Sequence, residues 1–173
     1  MKRLVFIVLA ALLPVLASAQ AGSIDKVINK YSGKEDVTVV NISPDLFQLI
    51  SDLEIKEIKD AEFPVDKLSA VKILAIENEE ILANNNFYDE VMSNLNTDGF
   101  MEVISVREAD EDVRIWMKTQ GKQIREFLLV VSSPDEGVVV YIEGDFNLSD
   151  IEGMAESFGG MEALEQLGDL EIN

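Results

Sequence analysis

Residues 123–152, QIREFLLVVSSPDEGVVVYIEGDFNLSDIE, decide the fold. Residues 124–131 and 138–142 are rich in β-branched and aromatic side chains, the composition strands prefer. Between them Ser132-Ser133-Pro134-Asp135-Glu136-Gly137 is turn chemistry, with Pro presetting φ and Gly supplying φ > 0. Both strands are apolar on successive residues, so both faces are expected to be covered and this hairpin to lie at the centre of the core. Ser149-Asp150-Ile151-Glu152 reads as a capping box opening a helix after the second strand.

Upstream, residues 100–107 and 113–119 are two more strands, separated by the acidic turn Glu108-Ala109-Asp110-Glu111-Asp112. With the hairpin they make a four-strand antiparallel meander. Earlier, helical and extended segments alternate. Ile24, Val27, Ile28 and Tyr31 fall on one helical stripe. Residues 36–42 are a strand, and Ser43-Pro44-Asp45 opens a helix that turns Leu46, Phe47, Leu49 and Ile50 inward. Residues 51–64 are a solvated charged stretch, 65–69 a helical turn, 71–76 a strand and 84–96 a helix. Gly99 suits the left-handed position after that helix. From Leu148 a helix carries Ile151, Met154, Ala155 and Phe158 at helical spacing, Gly159-Gly160 breaks it, and residues 161–170 form a weaker final helix. The early helices are spaced as crossovers and the later strands pair locally. The pattern predicts an α+β fold, a two-layer sandwich with a mostly antiparallel sheet and helices largely on one face, a ferredoxin-like variant.

The N-terminus predicts export. Lys2 and Arg3 precede an apolar run over residues 4–16, and Ala17-Ser18-Ala19 is an A-x-A cleavage site. Residues 1–19 are therefore expected to be a signal peptide, and 20–173 a single α+β domain. The apolar run is short for a bilayer span and is broken by Pro14, so no membrane insertion is expected after cleavage. The chain has no Cys to carry a lipid, which excludes a lipoprotein and leaves a periplasmic or secreted protein.

The 173 residues hold 33 acidic and 14 basic side chains, a net charge of −19. Loss of Lys2 and Arg3 takes this to about −21. Such a chain repels phosphate backbones, so nucleic acid is not an expected partner. The lack of Cys and His removes disulfides, thiolate nucleophiles, the usual general base and the commonest metal ligand.

Two segments carry a family resemblance. YSGKEDVTVVNISPDLFQLI (residues 31–50) and VVVYIEGDFNLSDI (residues 138–151) resemble two blocks of the DUF4252-like family, a domain-of-unknown-function family of short exported proteins common in Bacteroidetes. The resemblance implies an envelope or secreted protein and brings no active site with it.

Candidate sites remain. Trp116 stands between Arg114 and Lys118 on the face opposite Val113, Ile115 and Met117, which suggests a binding surface for an envelope protein or a small ligand. Burial of the Trp beneath the final helix is the competing reading. Asp145, Asn147, Ser149 and Glu156 occupy oxygen positions of a calcium loop, which would make calcium the one cofactor to expect. Asp150 stands where that loop needs Gly, however, and a strand precedes it. The acidic turn reads as a hairpin tip whose charge Arg107 and Arg114 relieve. Ser132-Ser133 has no G-x-S-x-G frame and no His, and a Ser–Lys pairing would need Lys118 or Lys122. The leading expectation is a non-catalytic binding or interaction module. A carboxylate-dependent hydrolase or a calcium-tuned module is the alternative.

Overall fold

A computed structural model describes residues 23–52, 65–83 and 86–151. Six strands form one sheet: β1 (Val37–Ile42), β2 (Leu68–Ile76), β3 (Phe100–Arg107), β4 (Asp112–Gln120), β5 (Gln123–Ser132) and β6 (Gly137–Phe146). The order is β1-β2-β6-β5-β4-β3, and every neighbouring pair is antiparallel. The quoted hairpin, β5 and β6, thus occupies the middle of the sheet. Residues 127–131 and 138–142 are buried on both faces.

Helix α1 (Ser23–Tyr31), the short α3 (Glu79–Ala83) and α4 (Phe87–Asn94) cover one face. They bury Ile24, Val27, Ile28, Tyr31, Leu82, Phe87 and Val91 against Leu74, Ile76, Leu128, Val130, Val139 and Tyr141. A nine-residue helix is marginal alone. Its four buried side chains stabilise it, at about 1.5–3 kcal/mol for each fully buried large apolar group. The edge of the Tyr31 ring meets Phe87, with centroids 6.1 Å apart. Against the other face pack Phe47 of α2 (Pro44–Asp52) and Leu148 and Ile151 of the helical turn at 148–151. The fold is α+β, with the described helices weighted to one side of an antiparallel sheet.

Several local expectations need correction. Of the α2 side chains placed inward, Phe47 is buried, but Leu46 and Leu49 are 43% and 53% exposed. A single short helix lying on a sheet turns one narrow stripe downward. The early helices are not parallel crossovers, because β1 and β2 pair antiparallel, Val37 opposite Ile76. The chain between them must return to the same end of the sheet. Helix α3 was not legible; its five residues are too few to show a helical period. Gly99 has φ +83° as expected, but Gly137 does not adopt positive φ. It begins β6 where a Cβ would press on Leu82 and Phe87 at 2.9–3.1 Å, so space rather than conformation disfavours a side chain. The solvated stretch falls mostly outside the described residues, as do most of the helix expected from residue 148 and all of the weaker one expected over 161–170.

Candidate functional site

Strand β4 alternates strictly. Val113, Ile115 and Met117 enter the core beneath α2, while Asp112, Arg114, Trp116 and Lys118 stand on the face that carries α1, α3 and α4. The structure thus brings together the three side chains of the expected surface. It also engages two of them internally.

The Arg114 fork closes on Asp112, with Nε 2.7 Å from Oδ1 and Nη2 2.9 Å from Oδ2. Nη1 donates to the Tyr88 hydroxyl at 2.9 Å, and the guanidinium lies 4.0 Å from that ring's centroid. Glu102 on β3 adds a weaker contact at 3.6 Å. Planar, bidentate and stacked recognition is what a guanidinium offers and an ammonium does not. The Arg114 hydrogen bonds hold the Asp112 carboxyl below its ordinary range, and the same bond raises Arg114. Burial raises the Tyr88 hydroxyl, against the opposing influence of the Arg114 charge.

Lys118 Nζ pairs with Glu126 at 2.9 Å and lies 5.7 Å from the centre of the Phe100 ring. The polar row continues from there. Glu126 Oε2 and Glu143 Oε1 are each 2.8 Å from the Tyr141 hydroxyl. Burial raises that hydroxyl far above its ordinary value, and the two carboxylates add to the effect. Trp116 is partly buried between the two networks, opposite Glu102 and Leu128. Its indole N–H is buried without a hydrogen-bond partner. Leu148 and Ile151 of the turn at 148–151 pack on the other face, and the final helix expected to cover the Trp lies outside the described residues.

Among the described residues, the calcium-loop positions Asp145, Asn147 and Ser149 are each engaged or exposed separately. Asp145 is exposed and pairs with Arg125 at 2.9 Å. Asn147 Oδ1 accepts the Asp150 N–H at 3.1 Å, and Asp150 Oδ2 accepts the Asn147 N–H at 2.8 Å. This reciprocal pair is the capping box, two residues earlier than the expected Ser149–Glu152, because the helix already begins at 148. Lys67 clamps Asp150 from the side at 2.7 Å. Ser149 is exposed in the first turn, and Glu156 lies outside the described residues. Among the described residues no group of three or more acids gathers as a cation site.

The acidic turn is a hairpin tip closed by Glu108 N–H to Glu111 C=O, with Arg107 and Arg114 both on Asp112. Ser133 is used by its own turn: its hydroxyl oxygen accepts the Glu136 N–H at 2.9 Å. Lys118 stands opposite Glu126, well along β5 from Ser132.

Sequence reasoning missed Tyr88, Glu102, Glu126, Tyr141 and Glu143. Tyr141 and Glu143 share a face by strand alternation, a signal open to sequence reading. Glu126 joins them only through the hairpin register.

Comparison with curated proteins and with solved structures finds no match. A family profile matches residues 31–154, from the end of α1 through the helical turn after β6. The chain belongs to the family described as Domain of unknown function (DUF4252).

Proposed function

We propose that this chain is an exported, non-catalytic interaction module that docks its partner along the outer edge of β3. The carrying observation is the exposure of Met101 (53%) and Val103 (37%) on a strand that ends the sheet. An edge strand offers unpaired N–H and C=O groups, and exposed apolar side chains on it favour strand addition. The leader supports the exported setting. The chain has no His or Cys, which supports binding over chemistry. The Trp116 face is the weaker docking candidate, since Arg114 and Lys118 are held by Asp112, Tyr88 and Glu126. Glu126 and Glu143 do converge, as a carboxylate-dependent hydrolase requires, but the Tyr141 hydroxyl fills the gap a water or substrate would need.

Photo-crosslinking in intact cells tests the surface. A crosslinker at position 103 of the full chain is expected to give a discrete adduct, and one at the exposed Lys26 on α1 is not. Equal labelling from both positions, or none from 103, overturns the β3 reading.

A further inference from the structure

We infer that the partner at β3 is β3 of a second copy of this chain, paired antiparallel about a two-fold axis at Ser105. The inference rests on the edge reading above and names its occupant.

Strand β3 carries a bulge. Glu102 stands opposite Trp116, whereas Ile104 stands opposite Ile115, so Val103 is an extra residue. Without it Glu102 and Arg107, five positions apart, would fall on opposite faces. With it Glu102, Ser105 and Arg107 stand across from Trp116, Arg114 and Asp112, all on one face. Met101, Ile104 and Val106 stand across from Met117, Ile115 and Val113 on the other. Counted by their partners on β4, Trp116 and Asp112, Glu102 and Arg107 are then equally distant from Ser105, which faces Arg114.

That placement is self-complementary. In a sheet continued by a two-fold axis perpendicular to it, residues paired across the junction share a face, and each contact occurs twice. With Ser105 opposite Ser105, Glu102 of each copy meets Arg107 of the other, and Ile104 meets Val106. Opposite charges directly across an antiparallel pair are favourable, and so are paired β-branched residues. The only two charged residues of the strand cancel. This matters because a chain of net charge −19 repels its own copy over most of its surface. The other edge, β1, has no charged residue to fix a register.

The test uses the full chain from the exporting host, at physiological salt, by sedimentation across a dilution series. The wild type is expected to dimerise. Arg107→Glu places two glutamates opposite each other twice, and Glu102→Arg does the same with arginines; each is expected to weaken the dimer about tenfold or more. Mixing the two variants restores both opposite-charge contacts, so a heterodimer is expected where neither forms a homodimer. Circular dichroism shows that each variant is folded, and the mixing result does not depend on how either is individually perturbed. Dimers indifferent to both substitutions, or variants that stay apart on mixing, overturn the register. A monomeric wild type whose position 103 crosslinks to a different protein overturns self-pairing and leaves the edge reading standing. A monomer with no adduct from position 103 overturns both.

Discussion

Glu126 and Glu143 stand directly opposite each other on β5 and β6, and one phenolic hydroxyl, that of Tyr141, lies 2.8 Å from a carboxylate oxygen of each. A hydroxyl has one proton to donate, so it satisfies one carboxylate fully and meets the second oxygen without a donor. Like charges placed directly across a sheet are destabilising. Lys118 on Glu126 offsets part of this.

Tyr141→Phe removes that donor and leaves two half-buried carboxylates facing each other. A loss of about 1–2 kcal/mol is expected, read as a lower urea midpoint at unchanged slope. Glu143→Gln goes the other way. Its amide donates to the Tyr141 oxygen, freeing the phenolic proton for Glu126, and stability at neutral pH is expected to rise by about 0.5 kcal/mol. A destabilised Glu143→Gln protein would show that the second contact is favourable as it stands.

Gly144 admits the backbone of Lys67. A Cβ there would collide with the Lys67 carbonyl oxygen, which cannot swing aside as a side chain can. Gly144→Ala is expected to cost about 3–4 kcal/mol, the upper range for overpacking. At Gly137 the obstructing atoms are the side-chain tips of Leu82 and Phe87, and Gly137→Ala is expected to cost about 1–2 kcal/mol. Thermal melts of the two variants give the ranking, and the reverse order would contradict it.

Arg114→Lys keeps the charge and loses the fork. One ammonium cannot reproduce two parallel bonds to Asp112 together with a stacked contact on Tyr88. A cost of about 1–2 kcal/mol is expected, and Tyr88→Phe in the Lys background should add little. A double-mutant cycle measures this coupling.

Two carboxyls and three tyrosines shape the pH dependence, and Tyr88, raised by burial, acts with Tyr31 and Tyr141. Burial alone would raise the Glu90 carboxyl, but hydrogen bonds from Lys30 and Tyr31 hold it below its ordinary range; Asp112 is lowered by Arg114. Their stabilisation is complete above the unfolded carboxyl value of about 4 and is lost as pH falls through the folded values. Tyr31 and Tyr141 are raised, by burial first and by their glutamate partners second. Their stabilisation is complete below the unfolded tyrosine value of about 10 and is lost as pH rises beyond it. Urea midpoints are expected to be level between about pH 5 and 9 and to fall on both flanks. Tyr141→Phe should flatten the alkaline limb and Arg114→Lys the acid limb; limbs identical to wild type would separate these groups from the pH response.

Local patterning along the chain specified the individual elements. Residues 123–146 specify a hairpin through β-branched runs and a Ser-Pro-Asp turn, and the apolar character of both faces placed it at the centre of the sheet. The stripe of Ile24, Val27, Ile28 and Tyr31 specified α1, and alternation along β4 put Arg114, Trp116 and Lys118 on one face. How distant segments register was set by packing across the sheet. Four strand pairings carry irregularities, at Leu68/Ala70, Glu102/Ile104, Lys118/Thr119 and Ile124/Glu126. A single extra residue exchanges the faces of everything beyond it. Whether Glu102 shares a face with Arg107 therefore depends on a bulge set by packing across the sheet, and whether Glu126 meets Tyr141 depends on the register of the hairpin; a one-dimensional period carries a signal for neither.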